Sequence, residues 1–336
     1  MNRFAGVVCF LMSWTLPLSD EAATLETPMV SISGEAQGTT YHIKYFDGQN
    51  RNFKVQIDSI LTEFDKSLSN YRKDSEIAEF NKSSSLTFRL PYFYPVLKKS
   101  EEIFNATDGA FDPTIMPLVE AYGFGPKKKI DPENANVDSL LQLIGFQNIQ
   151  FNKTSVSKKK PHIRLDFNGI AQGYSVDIIG HFLETKNINR FMVEIGGEVV
   201  CKGKKNDGQY WVAGIENPLV PGTLHSSIVL ADRAMTTAGN YRNHFKKNGQ
   251  VFNHIINPKT GSMEQSSVLS VTVIAKDAIT ADGYDTAFFV MGLDGIKRFL
   301  TKRKDIDVYV LYTNDEGKME AFVTEGIKNF IKETAN

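Results

Sequence analysis

Two acidic side chains and a hydroxyl are spaced to bind a metal ion in the C-terminal part of the chain. Asp282 and Thr286 are four residues apart, so they share one face if this stretch is a helix, and Asp285 lies beside them. Carboxylate and hydroxyl oxygens suit Mg²⁺, which keeps waters and substrate phosphates in its shell. Asp and Thr are also common in the first turn of a helix as caps. Taken alone, this capping interpretation is favoured.

A glycine-rich segment, LDFNGIAQGYSVD at residues 165–177, suggests a second kind of site. A strand is expected to end at Asp166, and a helix to begin near Gly169. Backbone N–H groups at a helix N-terminus suit a pyrophosphate where glycines leave room for it. The segment does not match G-x-G-x-x-G, and the chain has no Walker loop, so by itself it predicts only a weak anion site.

Two further loops carry polar residues at the ends of predicted elements, where sites tend to lie. In DGAFDPT, residues 108–114, Phe111 offers an aromatic face and Asp112 precedes a proline, although a helix C-cap and turn explain the loop more simply. In FNHIINPKTG, residues 252–261, His254 precedes a polar turn and is a candidate proton carrier or substrate ligand. The six histidines lack the spacing of a zinc site.

The elements that must position these residues predict an α+β fold, because helices and strands are mixed without regular βαβ alternation. A strand over residues 162–167 leads into a helix in which Ile170, Tyr174, Ile178 and Phe182 form one buried stripe. A buried strand over residues 268–275 leads into a helix over 279–291, which Gly292 ends. The remaining predicted elements are a hairpin over 29–45, helices over 53–64, 75–80 (opened by Asp74), 95–104, 137–144 and 295–301, and strands over 190–197, 198–203, 209–216, 225–232 and 307–312.

Composition excludes several classes of protein. The 336 residues include 38 basic and 39 acidic side chains, so nothing indicates a nucleic-acid partner. Apolar residues make up 41% and charged residues 23%, which is typical of a globular protein and excludes wholesale disorder. Only Cys9 and Cys201 are present, so a disulfide scaffold, an iron–sulfur cluster and a Cys-rich zinc site are excluded.

The N-terminus predicts a secretory signal peptide over residues 1–23. Arg3 precedes an apolar stretch over 5–18, and the small residues Ala22 and Ala23 follow it. The stretch is shorter than the roughly 20 residues of a comfortable membrane span. An uncleaved anchor is the alternative. We therefore expect one mature domain, residues 24–336, exported and either free in the periplasm or tethered on the periplasmic side of a membrane.

Eight motifs in order resemble one family. They are GTTYHIKY, LSNYRKDSEIAEFN, DGAFDPTIMPLVEAYGFGP, LDFNGIAQGYSVD, VEIGGEV, AMTTAGNY, HIINPKTG and TADGYDTAFFVMG. Together they resemble the ApbE family of FAD:protein FMN transferases over residues 33–291. A single motif would be a weak signal, whereas eight in order are specific. The resemblance implies an ApbE-type fold, with mixed and antiparallel sheets and flanking helices forming two intimate lobes around a flavin-binding cleft.

The resemblance also implies an activity. Such enzymes use Mg²⁺ and split the pyrophosphate of FAD, which is their substrate. They transfer the FMN half to a Thr or Ser hydroxyl through a phosphoester and release AMP. The implied partners are extracytoplasmic flavin-bearing subunits of electron-transfer complexes. Two alternatives stay open: a pyrophosphatase that gives FMN and AMP with water, and a non-catalytic FAD-binding protein, against which the intact Asp282 and Thr286 argue.

Site residues follow from the resemblance position by position. The implied metal ligands are the side chains of Asp282 and Thr286 and the backbone carbonyl of Gly169, with Asp285 beside the metal and the diphosphate. The base candidates are His254 and Asp285, and His254 is slightly favoured because Asp285 is close to the metal. The implied nucleotide contacts are Gln37, Tyr71, Ala110, Phe111, Asp112, Asp166, Gln172, Ile255 and Ile256.

Three positions depart from the family's pattern. Gln37 occurs where Met is common, Gln172 where Lys is common, and Asn257 where Asp is frequent. The change at Gln172 removes one positive contact to the nucleotide. None of the three is a side-chain metal ligand, so they bear on substrate affinity more than on the type of reaction.

Overall fold

The computed structural model describes residues 26–126, 136–240, 244–247, 250–253, 255–263 and 266–333. The predicted signal peptide and His254 therefore lie outside the described residues. Within them, no helix has the length and apolar character needed to cross a membrane.

Strands and helices alternate irregularly along the described residues. The strands are β1 (Met29–Ala36), β2 (Thr39–Phe46), β3 (Ser85–Thr87), β4 (Ile149–Phe151), β5 (Ser155–Lys158), β6 (Phe191–Ile195), β7 (Glu198–Lys202), β8 (Trp211–Glu216), β9 (Leu224–Leu230), β10 (Ala234–Gly239), β11 (His244–Lys247), β12 (Gln250–Asn253), β13 (Val268–Ala275), β14 (Asp307–Thr313), β15 (Met319–Val323) and β16 (Ile331–Glu333). The helices are α1 (Lys54–Leu68), α2 (Glu76–Phe80), α3 (Phe93–Ala106), α4 (Met116–Ala121), α5 (Val137–Leu141), α6 (Ala171–Thr185) and α7 (Ala278–Leu300).

An eight-stranded antiparallel sheet organises the molecule, in the order β1-β2-β6-β7-β10-β13-β14-β15. In β2, buried Tyr41, Ile43 and Tyr45 alternate with exposed His42 and Lys44, as expected of a strand with one covered face. Residues of α1 and α6 pack with one face of β1, β2 and β6. The small sheet β16-β9-β8 packs with core residues of β7, β10, β13 and β14. The predicted mixture of helices and antiparallel sheets is confirmed.

The buried face of α6 differs from the predicted stripe. Val176, Ile179 and Leu183 are fully buried, whereas Tyr174 and Phe182 are only partly buried. A spacing of four residues drifts around a helix that has 3.6 residues per turn. Helix α6 packs against both β6 and α7, and its fully buried apolar residues are spaced by three and then by four positions.

The predicted strand over residues 162–167 is wrong. His162 lies in a turn with a φ of 73°, and within the described residues the segment makes one isolated bridge, between Arg164 and Ile115. A side chain replaces a strand partner: the backbone N of Leu165 donates to Asn81 Oδ1 at 2.7 Å, and Asn81 Nδ2 donates to the carbonyl of Leu165 at 2.9 Å. The segment is therefore held by a side-chain amide from α2's end rather than by a sheet.

Most other predicted elements are present with small shifts. The hairpin β1–β2 is confirmed, and α7 is interrupted at Gly292, whose φ of 67° ends the first helical run as predicted. Ser75 rather than Asp74 caps α2, because the Ser75 side chain accepts from Ala78 N. Several elements of three to six residues were not predicted, because a short element rarely shows a clear period: α4, β3, β4, β5, β10, β11, β15 and β16.

Candidate active site

The acidic pair lies in the first turns of α7. Asp282 and Asp285 are 4% and 2% exposed, so both carboxylates are buried. Asp282 Oδ2 accepts a hydrogen bond from the backbone N of Gly173 at 2.7 Å. Thr286 Oγ1 donates to Asp285 Oδ1 at 3.3 Å. The start of α7 thus meets the start of α6 at these side chains.

Two glycines allow this close approach. A Cβ on Gly173 would lie 2.3 Å from the carbonyl oxygen of Ala278 and 2.7 Å from Cβ of Asp282. A Cβ on Gly169 would lie 2.9 Å from Oγ1 of Thr286. The backbone of Gly169 therefore lies directly against Thr286, which brings the predicted ligand positions together.

Burial raises the pKa of both carboxyl groups. The pKa of Asp282 rises to about 7, with the charge of Asp177 as a further cause. The pKa of Asp285 rises well above its usual value through burial and then through the charge of Asp282, and the hydroxyls of Thr236 and Thr286 offset part of this rise. No positive side chain of the described residues contributes to either shift. A bound cation would relieve the cost of ionising the pair.

The donor set fits Mg²⁺. The described residues hold no group of three or more His, Cys, Asp or Glu side chains able to bind a metal ion. The predicted set instead combines two carboxylates with the hydroxyl of Thr286 and the carbonyl of Gly169. Mg²⁺ is commonly bound by one or two carboxylates together with substrate phosphates. A site that is completed by its substrate is therefore consistent with these residues.

A second buried carboxylate, Asp166, lies in the turn before α6. Its Oδ1 accepts from Asn168 N at 2.9 Å and from Asn70 Nδ2 at 3.3 Å, and burial raises its pKa to about 6. Tyr71 lies next to this turn, since its hydroxyl hydrogen-bonds the Asn168 side chain. Tyr71 is 63% exposed, so its ring can stack on a planar ligand.

Two glutamines flank the start of α6. Gln37, at the tip of the β1–β2 hairpin, accepts from Ser175 Oγ through Oε1 at 3.2 Å. Its Nε2 is buried and has no hydrogen-bond partner among the described residues. Gln172 Nε2 donates to the carbonyl of Ile195 at 3.2 Å. Because an unpaired buried donor costs about 1–3 kcal/mol, Gln37 Nε2 is a natural donor to a polar ligand atom.

The 110–112 segment is buried at all three residues. Phe111 is 4% exposed and packs in the core, so its ring does not offer the predicted aromatic face, and Ala110 is buried too. Asp112 Oδ1 accepts from the N and Oγ1 of Thr114 at 2.8 and 2.6 Å, and Oδ2 accepts from Phe146 N at 3.1 Å. The Asp112 carboxylate therefore shapes the loop.

Ile255 and Ile256 are both buried, and each joins a different hydrophobic cluster. The turn that follows them is tied to the DGAFDPT loop, because Lys259 Nζ lies 2.5 Å from Oδ2 of Asp108. Ile255 and Phe111 belong to the same hydrophobic cluster, and the ion pair ties the turn after Ile256 to the loop that contains Phe111.

Several of the predicted site residues thus lie next to residues 166–175, namely Gln37, Tyr71, Asp282 and Thr286. Their roles as ligand contacts stay predictions, whereas their proximity is shown by the hydrogen bonds above and by the bond from Asp166 N to the carbonyl of Pro113 at 2.7 Å. Sequence reasoning did not identify four polar residues that hold or flank the site: Asn70, Asn81, Asp177 and Thr236. Asn70 and Thr236 lie inside motifs quoted above, and Asn81 and Asp177 each end one. The signal that could have found them was therefore their position in a motif, not their chemistry.

Comparison with known proteins identifies the family. The model of the ApbE family matches residues 37–310. The chain is 34% identical to the FAD:protein FMN transferase of Haemophilus influenzae, over 98% of this chain and 97% of that protein. It is 35% identical to the enzyme of the same name from Vibrio cholerae, over 90% and 92%.

Solved structures agree with this assignment. The flavin transferase ApbE from Vibrio cholerae superposes with a TM-score of 0.81 at 32% identity, covering 90% of this chain and 99% of that one. The apo form of the Pseudomonas stutzeri flavinyl transferase ApbE gives 0.81 at 28% identity, covering 91% and 98%. The chain is therefore an enzyme of the transferase class. It belongs to the ApbE family.

Proposed function

We propose that this enzyme transfers the FMN moiety of FAD to a Thr or Ser hydroxyl of a target protein and releases AMP. The observation that carries the proposal is the buried pair Asp282 and Asp285, set against the glycine-rich start of α6. The names of the relatives support FAD as the substrate.

We also propose that the enzyme is exported and acts on flavin-bearing subunits of electron-transfer complexes outside the cytoplasm. The signal-like sequence over residues 1–23 supports export, either to the periplasm or to a tether on that side of the membrane. The balanced charge of the chain supports a small-molecule and protein substrate rather than a nucleic acid.

Asp282, Asp285, Thr286 and the carbonyl of Gly169 would hold Mg²⁺. When bound there, Mg²⁺ would neutralise the diphosphate charge and favour in-line attack at phosphorus. Because the two carboxylates are buried, water would screen their charges only weakly, and they would attract a bound cation strongly.

The chain's own residues bind the nucleotide and move the proton. Tyr71 packs on the FAD ring system, and Gln37 Nε2 donates to the nucleotide. The acceptor hydroxyl oxygen bonds to the FMN phosphorus, the bond from that phosphorus to the bridging oxygen breaks, and AMP leaves with the bridging oxygen. The hydroxyl proton passes to a base, for which His254 is favoured over Asp285.

Mass spectrometry of an acceptor peptide tests the proposal. The chain of residues 24–336 is incubated with FAD and Mg²⁺, with and without a peptide that carries a Thr acceptor. We expect the peptide to gain the mass of FMN less water, and AMP to form only when the peptide is present. FMN and AMP formed equally without the peptide would identify a pyrophosphatase instead.

Replacing one carboxylate tests the metal site. Asp282→Ala should lower the Mg²⁺-dependent transfer rate by at least about a hundredfold, because a metal ion contributes several kcal/mol of charge stabilisation. The matched control is Asp294→Ala, which removes an exposed carboxylate later in α7. Near-wild-type AMP release by Asp282→Ala would show that the metal assignment is wrong.

A further inference from the structure

Asp177 has no role in the proposed reaction, yet it caps the helix that carries the acidic pair. Its Oδ1 and Oδ2 accept hydrogen bonds from the backbone N of Ala278 and of Ile279, each at 2.8 Å. These are the first two residues of α7, whose N–H groups have no partner inside the helix. The third, Thr280 N, donates to Asp277 Oδ1 at 3.0 Å. Asp177 belongs to α6, so it links the two helices.

A second capping bond runs in the opposite direction. Asp282, on α7, accepts from the backbone N of Gly173, which is the third residue of α6. Each helix therefore supplies a carboxylate that caps the start of the other. Sliding α6 along α7 would break these bonds and leave buried N–H groups unpaired, at about 1–3 kcal/mol each.

This reciprocal capping lies where the metal donors meet. The same helix contact places Gly169 against Thr286, with a distance of 2.9 Å between a Cβ built on Gly169 and Oγ1 of Thr286. Asp282 uses Oδ2 for the Gly173 bond, and its Oδ1 makes no hydrogen bond among the described residues. A shift of either helix would change the spacing of these oxygens, to which Mg²⁺ is sensitive because it demands near-octahedral geometry.

We propose that Asp177 is a positioning residue: by fixing α7 on α6, it sets the spacing between the Gly169 carbonyl and the side chains of Asp282 and Thr286. The inference rests on the proposed function, because it assigns those oxygens to Mg²⁺. Asp177 is not itself one of the proposed metal ligands. It acts through the helix terminus that it caps.

Calorimetric titration of the full chain with MgCl₂ tests this role. Asparagine has almost the same shape as aspartate, but in Asp177→Asn an NH₂ group faces the backbone N–H of either Ala278 or Ile279. It should raise the dissociation constant for Mg²⁺ by about 10–100-fold. Asp277→Asn is the matched control, because it removes a charge from the same helix end yet keeps a capping oxygen; its dissociation constant should stay within about twofold of wild type.

Two outcomes of that titration would overturn the inference. Wild-type affinity in Asp177→Asn would show that the cap does not set the donor spacing. Equal weakening in both variants would show that charge alone is responsible. If the wild-type chain binds no Mg²⁺ either alone or with saturating FAD, the metal part of the proposed function fails and this inference fails with it. Absent FMN transfer with normal Mg²⁺ binding counts against the proposed function alone.

A second measurement needs no variant and so cannot fail through misfolding. Amide hydrogen exchange is followed in the wild-type chain with and without MgCl₂. If the cap and the metal donors are coupled, the amides of Ala278 and Ile279 should exchange about tenfold more slowly with Mg²⁺. Unchanged exchange at both amides, under conditions in which calorimetry shows Mg²⁺ bound, would contradict the coupling.

Discussion

At the scale of single residues, Tyr71 is placed to bind a ligand but contributes little to the stability of the fold. The residue is 63% exposed, whereas neighbouring Asp166 and Asn70 are buried and hydrogen-bonded to each other. An exposed ring buries little apolar surface in the folded chain, so it adds little to hydrophobic stabilisation. The side chain is therefore expected to contribute to binding of FAD and little to stability.

The variant Tyr71→Ala should raise the KM for FAD by about two- to tenfold, which corresponds to the roughly 0.5–1.5 kcal/mol of an aromatic pair. Its free energy of unfolding should change by less than about 0.5 kcal/mol, because the position is exposed. Steady-state kinetics and urea unfolding measure the two quantities. Tyr71→Phe is the control, since it keeps the ring and should keep the wild-type KM. A wild-type KM in Tyr71→Ala would rule out ring stacking.

At the scale of elements, the contact between α6 and α7 determines the site. The two helices approach closely because Gly173 has no side chain, and the carbonyl of Ala278 occupies the place a Cβ would need. Gly180, on the same helix, is also buried, but there the nearest atoms to an added Cβ are 3.3 Å away, on the side chains of Phe191 and Val200. The packing therefore requires glycine at position 173 but not at position 180.

Gly173→Ala should lower the free energy of unfolding by roughly 1–3 kcal/mol, because a backbone carbonyl at 2.3 Å cannot yield without moving a helix. Gly180→Ala should change it by less than about 1 kcal/mol, since the helix propensity of Ala offsets a mild side-chain contact. Urea unfolding of both variants provides the comparison. Equal stability of the two variants would contradict the proposed helix contact.

At the scale of the whole molecule, an ion pair ties the end of β2 to the end of α6. Asp47 accepts from Arg51 N at 2.9 Å and Nε at 2.8 Å, and Arg51 Nη2 also donates to the carbonyl of Lys186 at 3.0 Å. The Arg51 guanidinium lowers the pKa of Asp47 from 3.8 to about 2. The ionised form of Asp47 therefore stabilises the folded chain.

This shift predicts an acid-dependent loss of stability. A depressed folded-state pKa stabilises the protein above the unfolded pKa of about 4, and that contribution is lost as the pH falls toward 2. Asp47→Asn should lower the free energy of unfolding by about 1–2 kcal/mol at pH 7, after allowance for solvent screening. The difference from wild type should shrink steadily between pH 4 and pH 2 in urea unfolding. A difference independent of pH would rule out the ion pair as its cause.

Local chemistry made much of the chain predictable. The alternation in β2, the helical spacing of Ile57, Leu61 and Phe64 in α1, and the glycine that interrupts α7 are all short-range signals, and the structure contains each of these elements. The residue types of the site were visible for the same reason, because Asp282 and Thr286 are neighbours on one helix face. The order of the motifs along the chain identified the family.

Only the tertiary structure decided how those pieces meet. The Asn81 amide that holds Leu165 is 84 residues away in sequence, and the Asp177 carboxylate that caps Ala278 is 101 residues away. The raised pKa of Asp282 depends on its burial between two helices. The burial of the Phe111 side chain depends on the core residues that surround it. Periodicity reports which side of one element is apolar, whereas these contacts depend on which elements pack together, so no local pattern contains them.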